Sequence, residues 1–160
     1  MTRRTAFLSV VLVAAGCGGG GGTTTVTVAT TVAAEAPAPP ALPSPLPADG
    51  ILPVAAFNGY AEEVDEPWER DLASTVAAFV DAGAADATRT SFESTSRDEG
   101  ATATATLVLD GLLDDSVRAR RHDFELRRRG DRTWELVAAT WAQRCRPGRG
   151  HQDFSTEPCV

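Results

Sequence analysis

Two histidines, three cysteines and a cluster of C-terminal arginines are the residues best able to do chemistry in this 160-residue chain. His122 is followed by Asp123, and His151 stands two residues before Asp153. A carboxylate can orient an imidazole, and an oriented imidazole that titrates near neutrality can act as a general base. Neither histidine has a recognisable nucleophile partner nearby, so at both positions a structural role competes with a catalytic one. His151 also closes the run Arg146-Pro-Gly-Arg149-Gly-His151. Glycines leave backbone N–H groups open to a ligand and arginines supply planar donor forks, which together suit a phosphate, sulfate or carboxylate. Arg146, Arg149 and His151 are therefore anion-binding candidates. The order of residues is not that of a phosphate-binding P-loop, and Pro and Gly also make ordinary turns.

The N-terminus says where these residues work. Met1-Thr-Arg-Arg-Thr5 is basic, Ala6 to Ala15 is apolar, and Gly16-Cys17 follows, the three parts of an export signal over residues 1–16. The apolar stretch is too short to span a bilayer, which takes ~20 residues. This segment resembles a bacterial lipoprotein precursor, in which the cysteine after a small residue is diacylated and becomes the mature N-terminus. The resemblance covers about the first 17 residues. It departs at Ala14, where Leu, Val or Ile is usual. It implies lipidation of Cys17, a bacterial membrane lipoprotein, and anchoring on the outer face of the cell membrane. An ordinary secretory signal with Cys17 incidental is the alternative, and it too exports the protein.

In an oxidising compartment Cys145 and Cys159, the two cysteines left after Cys17, are expected to form one disulfide. Closing a loop of that length stabilises by about 3 kcal/mol through lost unfolded-state entropy. The spacing of Cys145, His151 and Cys159 matches no zinc pattern, so no metal is expected, and no stretch spells a cofactor-binding motif. The formal charge of −7 becomes −9 once Arg3 and Arg4 leave with the signal, which argues against nucleic acid as a partner. All 15 basic residues are arginine, and they are unevenly placed. Residues 60–115 hold 14 acidic and 3 basic groups, whereas 116–149 hold 4 acidic and 10 basic. If that asymmetry survives folding as a basic face, an anionic envelope polymer or a protein partner fits it; cancellation between neighbouring elements is the competing outcome.

The elements that must position these residues follow from composition and period. Residues 17–50 run through five glycines, a Val/Thr tract and a Pro/Ala-rich stretch, which reads as a lipidated, disordered tether. A single small α+β domain over 51–160 follows. Glu66-Pro67-Trp68-Glu69 marks a helix start, and Trp68, Leu72, Val76, Phe79 and Val80 make one apolar stripe. A single amphipathic helix over 66–82, stopped by Gly83, is the expectation. Thr88–Thr95 and the strictly alternating Ala101–Leu109 read as strands with one wet face. Val117–Arg128 changes phase between Ala119 and His122, predicting a β-bulge at Arg120-Arg121. Thr133–Gln143 is apolar on both phases and is predicted to be central. An odd-length turn between these strands, containing Arg129-Gly130-Asp131, is predicted to pair Phe124 with Leu136 and Leu126 with Trp134. The tripeptide matches an adhesion motif, but Gly-Asp is ordinary turn chemistry.

The expected architecture is thus one N-terminal helix on a curved antiparallel sheet of about four strands, ending in a disulfide-closed loop. In layout it resembles cystatin-like and nuclear-transport-factor-type rolls, a resemblance over about residues 54–144 that rests on no motif and implies no activity. The stretch from about Trp134 to Cys159 resembles the C-terminal region of small exported bacterial proteins with the signature QRC-x-PGRGHQ-x-F-x4-C, and that resemblance also implies no activity. Two functional expectations follow: a non-catalytic binding or interaction module on the membrane, or a small hydrolase or isomerase using a cavity histidine, His122, or the loop histidine, His151.

Overall fold

Strict alternation builds the sheet. In β2, Thr102–Asp110, the side chains of Ala103, Ala105, Leu107 and Leu109 are buried on one face and the threonines turn away from it. β1, Arg89–Arg97, β3, Val117–Arg128, and β4, Trp134–Cys145, complete a four-stranded antiparallel sheet in the order β1-β2-β3-β4. The computed structural model describes residues 38–81 and 87–160. The expected signal segment, Cys17, most of the tether and the Gly83 helix stop lie outside the described residues. No helix of the described residues is long and apolar enough to cross a membrane. Sheet, short helices and a Cys145–Cys159 disulfide together make an α+β chain.

The helical layer is more broken than its periodicity suggests. Pro67–Arg70 is a 3-10 turn, Asp71 is extended, and α2 covers Leu72–Val80. The break has a local cause. The Asp71 carboxylate accepts from the Ser74 N–H at 2.8 Å, capping a new helix, while Glu69 Oε1 accepts from the Glu66 N–H at 2.6 Å and closes the 3-10 turn on itself. The apolar stripe nevertheless packs as one surface: Val76, Phe79 and Val80 are in the core, with Trp68 and Leu72 against it. Asp81, in the left-handed conformation, ends α2.

A preceding helix, α1, Ala55–Glu63, was not expected. Its Asn58 and Gly59 are poor helix formers and no side chain caps its start. Packing holds it instead. Phe57 meets Phe79 edge-on at 5.2 Å, and Phe79 meets Phe124 of the sheet in the same way at 5.9 Å, geometries favoured by ring quadrupoles.

Two register shifts shape the β3/β4 ladder, and neither is where sequence phase put it. Pairing is unbroken from Ala119 to Glu125, so there is no bulge at Arg120-Arg121. One shift leaves Arg118 out of register, between Val117 and Ala119; the other leaves Val137 of β4 out, opposite Glu125 and Leu126. The second explains why β4 reads as two-sided. Skipping Val137, which is 52% exposed, brings Trp134, Leu136, Ala139 and Trp141 onto one buried face. Asn58 completes this bulge, donating Nδ2 to Leu136 O at 2.8 Å and accepting from the Leu136 N–H at 3.1 Å. The hairpin pairs Leu126 with Leu136 and Arg128 with Trp134, two residues away from the expected register. Its odd-length loop, 129–133, is wider because Asp131 Oδ1 accepts from both the N–H and the hydroxyl of Thr133. Arg129 reaches Glu62 at 2.8 Å. The adhesion-like tripeptide is thereby engaged within the chain.

β4 is an edge strand rather than a central one, yet its edge is covered. Leu52 N–H donates to Ala139 O and Trp141 N–H to Gly50 O, both at 2.9 Å, and Ser155 and Gln143 exchange backbone bonds further along. Gly50 is fixed by geometry: its φ is +77°, and a Cβ there would stand 2.8 Å from Thr156 Cγ2. These bonds tie down a strap, residues 42–50, that composition assigned to the tether. Leu42 and Leu46 pack against the core, and Trp141 Nε1 donates to Pro47 O at 2.9 Å. Prolines need no ladder partners for missing N–H groups, so a Pro-rich segment with two leucines can lie on a protein surface as readily as in water.

Candidate functional site

The C-terminal loop is held shut by its own candidate residues. Cys145 and Cys159 are disulfide-bonded with Cα atoms 5.5 Å apart. Gly150, at φ +131°, lets the chain pass the bridge, since a Cβ there would be 2.9 Å from Cys145 Sγ. Arg146 donates Nη2 to Leu112 O at 2.6 Å and Nε to Asp114 O at 2.7 Å. Its fork is thus spent on the β2–β3 loop. His151 places Nδ1 2.8 Å from Asp153 O and Nε2 2.9 Å from Glu157 O. A neutral imidazole has one N–H, so only the imidazolium satisfies both carbonyls. These backbone bonds, with the nearby Glu157 and Asp153 carboxylates, raise its pKa above the usual value. Arg149 alone of the three is exposed, and its guanidinium makes no hydrogen bond or ion pair to the described residues. The three do not form a shared anion-binding donor set. Donor atoms of Cys145, His151 and Cys159 lie within 4.8 Å of one another, but the sulfurs are bonded to each other and both ring nitrogens face carbonyls. In this oxidation state no ligand set for a metal remains there.

Phe154 anchors the loop to the sheet's other face. The guanidinium carbons of Arg121 and Arg144 each lie 5.1 Å from its ring centroid, within cation–π range. The basic second half of the chain is largely matched in this way. Arg118, Arg144 and Arg89 approach Asp110 at 3.3, 3.6 and 4.0 Å, Arg127 bonds Glu135 at 2.8 Å, and Arg121 bonds Asp123 at 2.8 Å. Burial works against the Asp110 charge, yet the Gly111 N–H and the Arg118 guanidinium hold its carboxyl below the ordinary range.

His122 is in the core, 1% exposed, with its ring stacked 6.3 Å from Phe124. Nδ1 has no hydrogen-bond partner among the described residues. Burial, aided by the Arg120 charge and opposed by Asp123, pushes its pKa down to about 4. Asp123 instead accepts from Arg121 and from the Thr106 hydroxyl, so the suspected His-Asp pair does not form. His122 lines neither cleft described below.

The feature that sequence reasoning missed is a cleft of about 780 Å³ between the strap and the inner face of the sheet. Leu42, Leu46, Val80 and Trp141 supply apolar wall, Gln143 and Thr156 polar wall, and Arg120 a cation. Arg120 is paired across the ladder with Gln143, one inward position beyond His122 and Trp141. Its Nε is buried without an acceptor, and burial lowers its proton affinity while the Asp114 charge raises it. Guanidinium stays charged at any ordinary pH. The signal for this site was an arginine in phase with His122, Phe124 and Leu126, which the misplaced bulge turned outward. A smaller depression of about 250 Å³ on the outer face is framed by Thr104, Thr106, Asp123, Glu125 and Thr140.

Comparison with protein families, curated proteins and solved structures finds no match to this chain.

Proposed function

We propose that this protein is a non-catalytic binding module of the bacterial cell envelope, exported, lipidated at Cys17 and held outside the membrane by its N-terminal tether, with the strap cleft as its ligand site. The observation that carries the reading is the cleft itself. At about 780 Å³ it falls within the range of small-molecule sites, ~300–1,000 Å³, and it joins apolar walls to a few polar groups. The helix-before-meander order supports the likeness to cystatin-like and nuclear-transport-factor-type rolls, which serve binding and catalysis alike. Against the hydrolase or isomerase alternative stand a buried His122 and a His151 committed to two carbonyls.

One experiment addresses tether and cleft together. Wild type and Cys17→Ala are expressed in a bacterium, fractionated, and titrated with a neutral, environment-sensitive naphthylamine probe. The reading expects wild type in the membrane fraction, Cys17→Ala released, and one probe site in Cys17→Ala that is lost when Ala48→Trp fills the cleft. A released wild type would contradict the anchor. Probe binding unaffected by Ala48→Trp, or none at all, would contradict the site.

A further inference from the structure

We propose that the ligand of the strap cleft is a small apolar molecule carrying a single oxyanion, gripped by Arg120. The inference rests on the cleft-binding reading and adds the chemistry of what is bound. It starts from how the arginines are used. Among the described residues, Arg70, Arg89, Arg118, Arg121, Arg127, Arg129 and Arg144 reach carboxylates. Arg146 is bound to carbonyls, and Arg128 lies over Trp134. The guanidinium groups of Arg97, Arg132 and Arg149 have no partner among the described residues and are exposed, where water serves them. Arg120 and Arg144 are both partly withdrawn from water and each has a buried Nε without an acceptor, but Arg144 still reaches Asp110 and lies over Phe154, whereas the Arg120 guanidinium makes no ion pair or hydrogen bond to the described residues.

That combination is costly unless something completes it. A charge drawn out of water loses hydration, and a buried donor without an acceptor adds a further penalty. Seven other arginines here offset the first cost by pairing with carboxylates, and of these only Arg144 still keeps a buried Nε without an acceptor. Asp81 also lines the cleft, but it is exposed and makes no ion pair with Arg120. An oxyanion in the cleft would supply the missing acceptor, and a guanidinium binds carboxylate or phosphate in a two-pronged geometry. Leu42, Leu46, Val80 and Trp141 would then receive an apolar body. Gln143 and Trp141 have donors already committed, Nε2 to Glu157 O and Nε1 to Pro47 O. Arg120 is left as the group that reads charge.

The test uses the mature chain carrying Cys17→Ala, so that lipid does not compete, and three ligands of equal carbon count: decanoate, decyl phosphate and decanol. Calorimetric titration is expected to give at least one anion roughly tenfold or more tighter than decanol, the size of one charge-assisted bond. Arg120→Met should reduce the anions to the level of decanol, and Arg120→Lys should retain part of the preference. Whichever anion binds tighter identifies the oxyanion. Without ligand, Arg120→Met should unfold no more easily than its parent, because it removes an uncompensated charge; a clear loss of stability would mark Arg120 as structural and overturn the proposal. Equal binding of anions and decanol, or anion binding unchanged in Arg120→Met, would also overturn it. If the neutral probe still binds in those cases, the cleft reading stands and only its anion chemistry falls. If the probe fails as well, both fall.

Discussion

Burying an imidazole beside a cation makes His122 a stability determinant that depends on pH. The unfolded chain protonates it near the ordinary value of 6.5, whereas the folded protein holds it neutral down to about 4. Between those values the unfolded state binds the extra proton, so stability falls as pH falls, by up to about 3 kcal/mol. Replacing His122 with Phe keeps an aromatic ring against Phe124 and removes the proton site. Urea midpoints of His122→Phe should be nearly flat from pH 6.5 to 4.5, where those of the wild type decline; parallel declines would contradict the assignment. Carboxylates held below their ordinary range, such as Asp71, Asp110 and Glu135, contribute stability that is lost only at lower pH. His122 was legible in the sequence as a core-facing residue because alternation with Phe124 and Leu126 is a burial signal. Arg120, two residues earlier on the same face, was not. The phase change between Ala119 and His122 put a bulge at Arg120-Arg121, and that bulge took Arg120 out of the alternation.

Single elements fail or succeed for reasons that period alone does not contain. The stripe from Trp68 to Val80 was legible, but the break at Asp71 depends on one carboxylate choosing the Ser74 N–H. The bulge at Val137 depends on Asn58, 78 positions away, satisfying the Leu136 backbone, and no local pattern encodes that. The C-terminal loop shows the same dependence. Its disulfide was legible from cysteine count and compartment, whereas the two carbonyls that fix His151 arise only once the loop closes. Because the folded His151 pKa is raised, its contribution to the loop is full below about pH 6.5 and is lost as pH rises through the raised value. Hydrogen exchange at the Ser155 and Val160 amides, which donate to Gln143 O and Arg149 O, should show protection falling over that rise after correction for intrinsic rates. His151→Gln should abolish the pH dependence. An identical pH profile in the variant would assign the loop's order to the disulfide alone.

At the scale of the whole molecule, the uneven charge that suggested a basic face is largely cancelled by pairing between neighbouring strands and with α1. Apart from the exposed Arg97, Arg132 and Arg149, what remains is local: one arginine without an ion pair, in a cleft whose outer wall is the segment nearest the proposed tether. The proposed tether and the site are continuous in sequence, and the strap tied to the β4 edge is the piece that would belong to both. Composition hid this, since the same prolines that read as a flexible spacer form the wall. The central claim, that a ligand occupies the strap cleft, can be read from the indole N–H signals of the three tryptophans. Trp141 lines the cleft, whereas Trp68 and Trp134 do not. Titrating decanoate or the neutral probe into nitrogen-15-labelled Cys17→Ala protein should shift the Trp141 signal in step with binding and leave those of Trp68 and Trp134 in place. Saturable binding that moves Trp68 or Trp134 while Trp141 stays still would contradict the account.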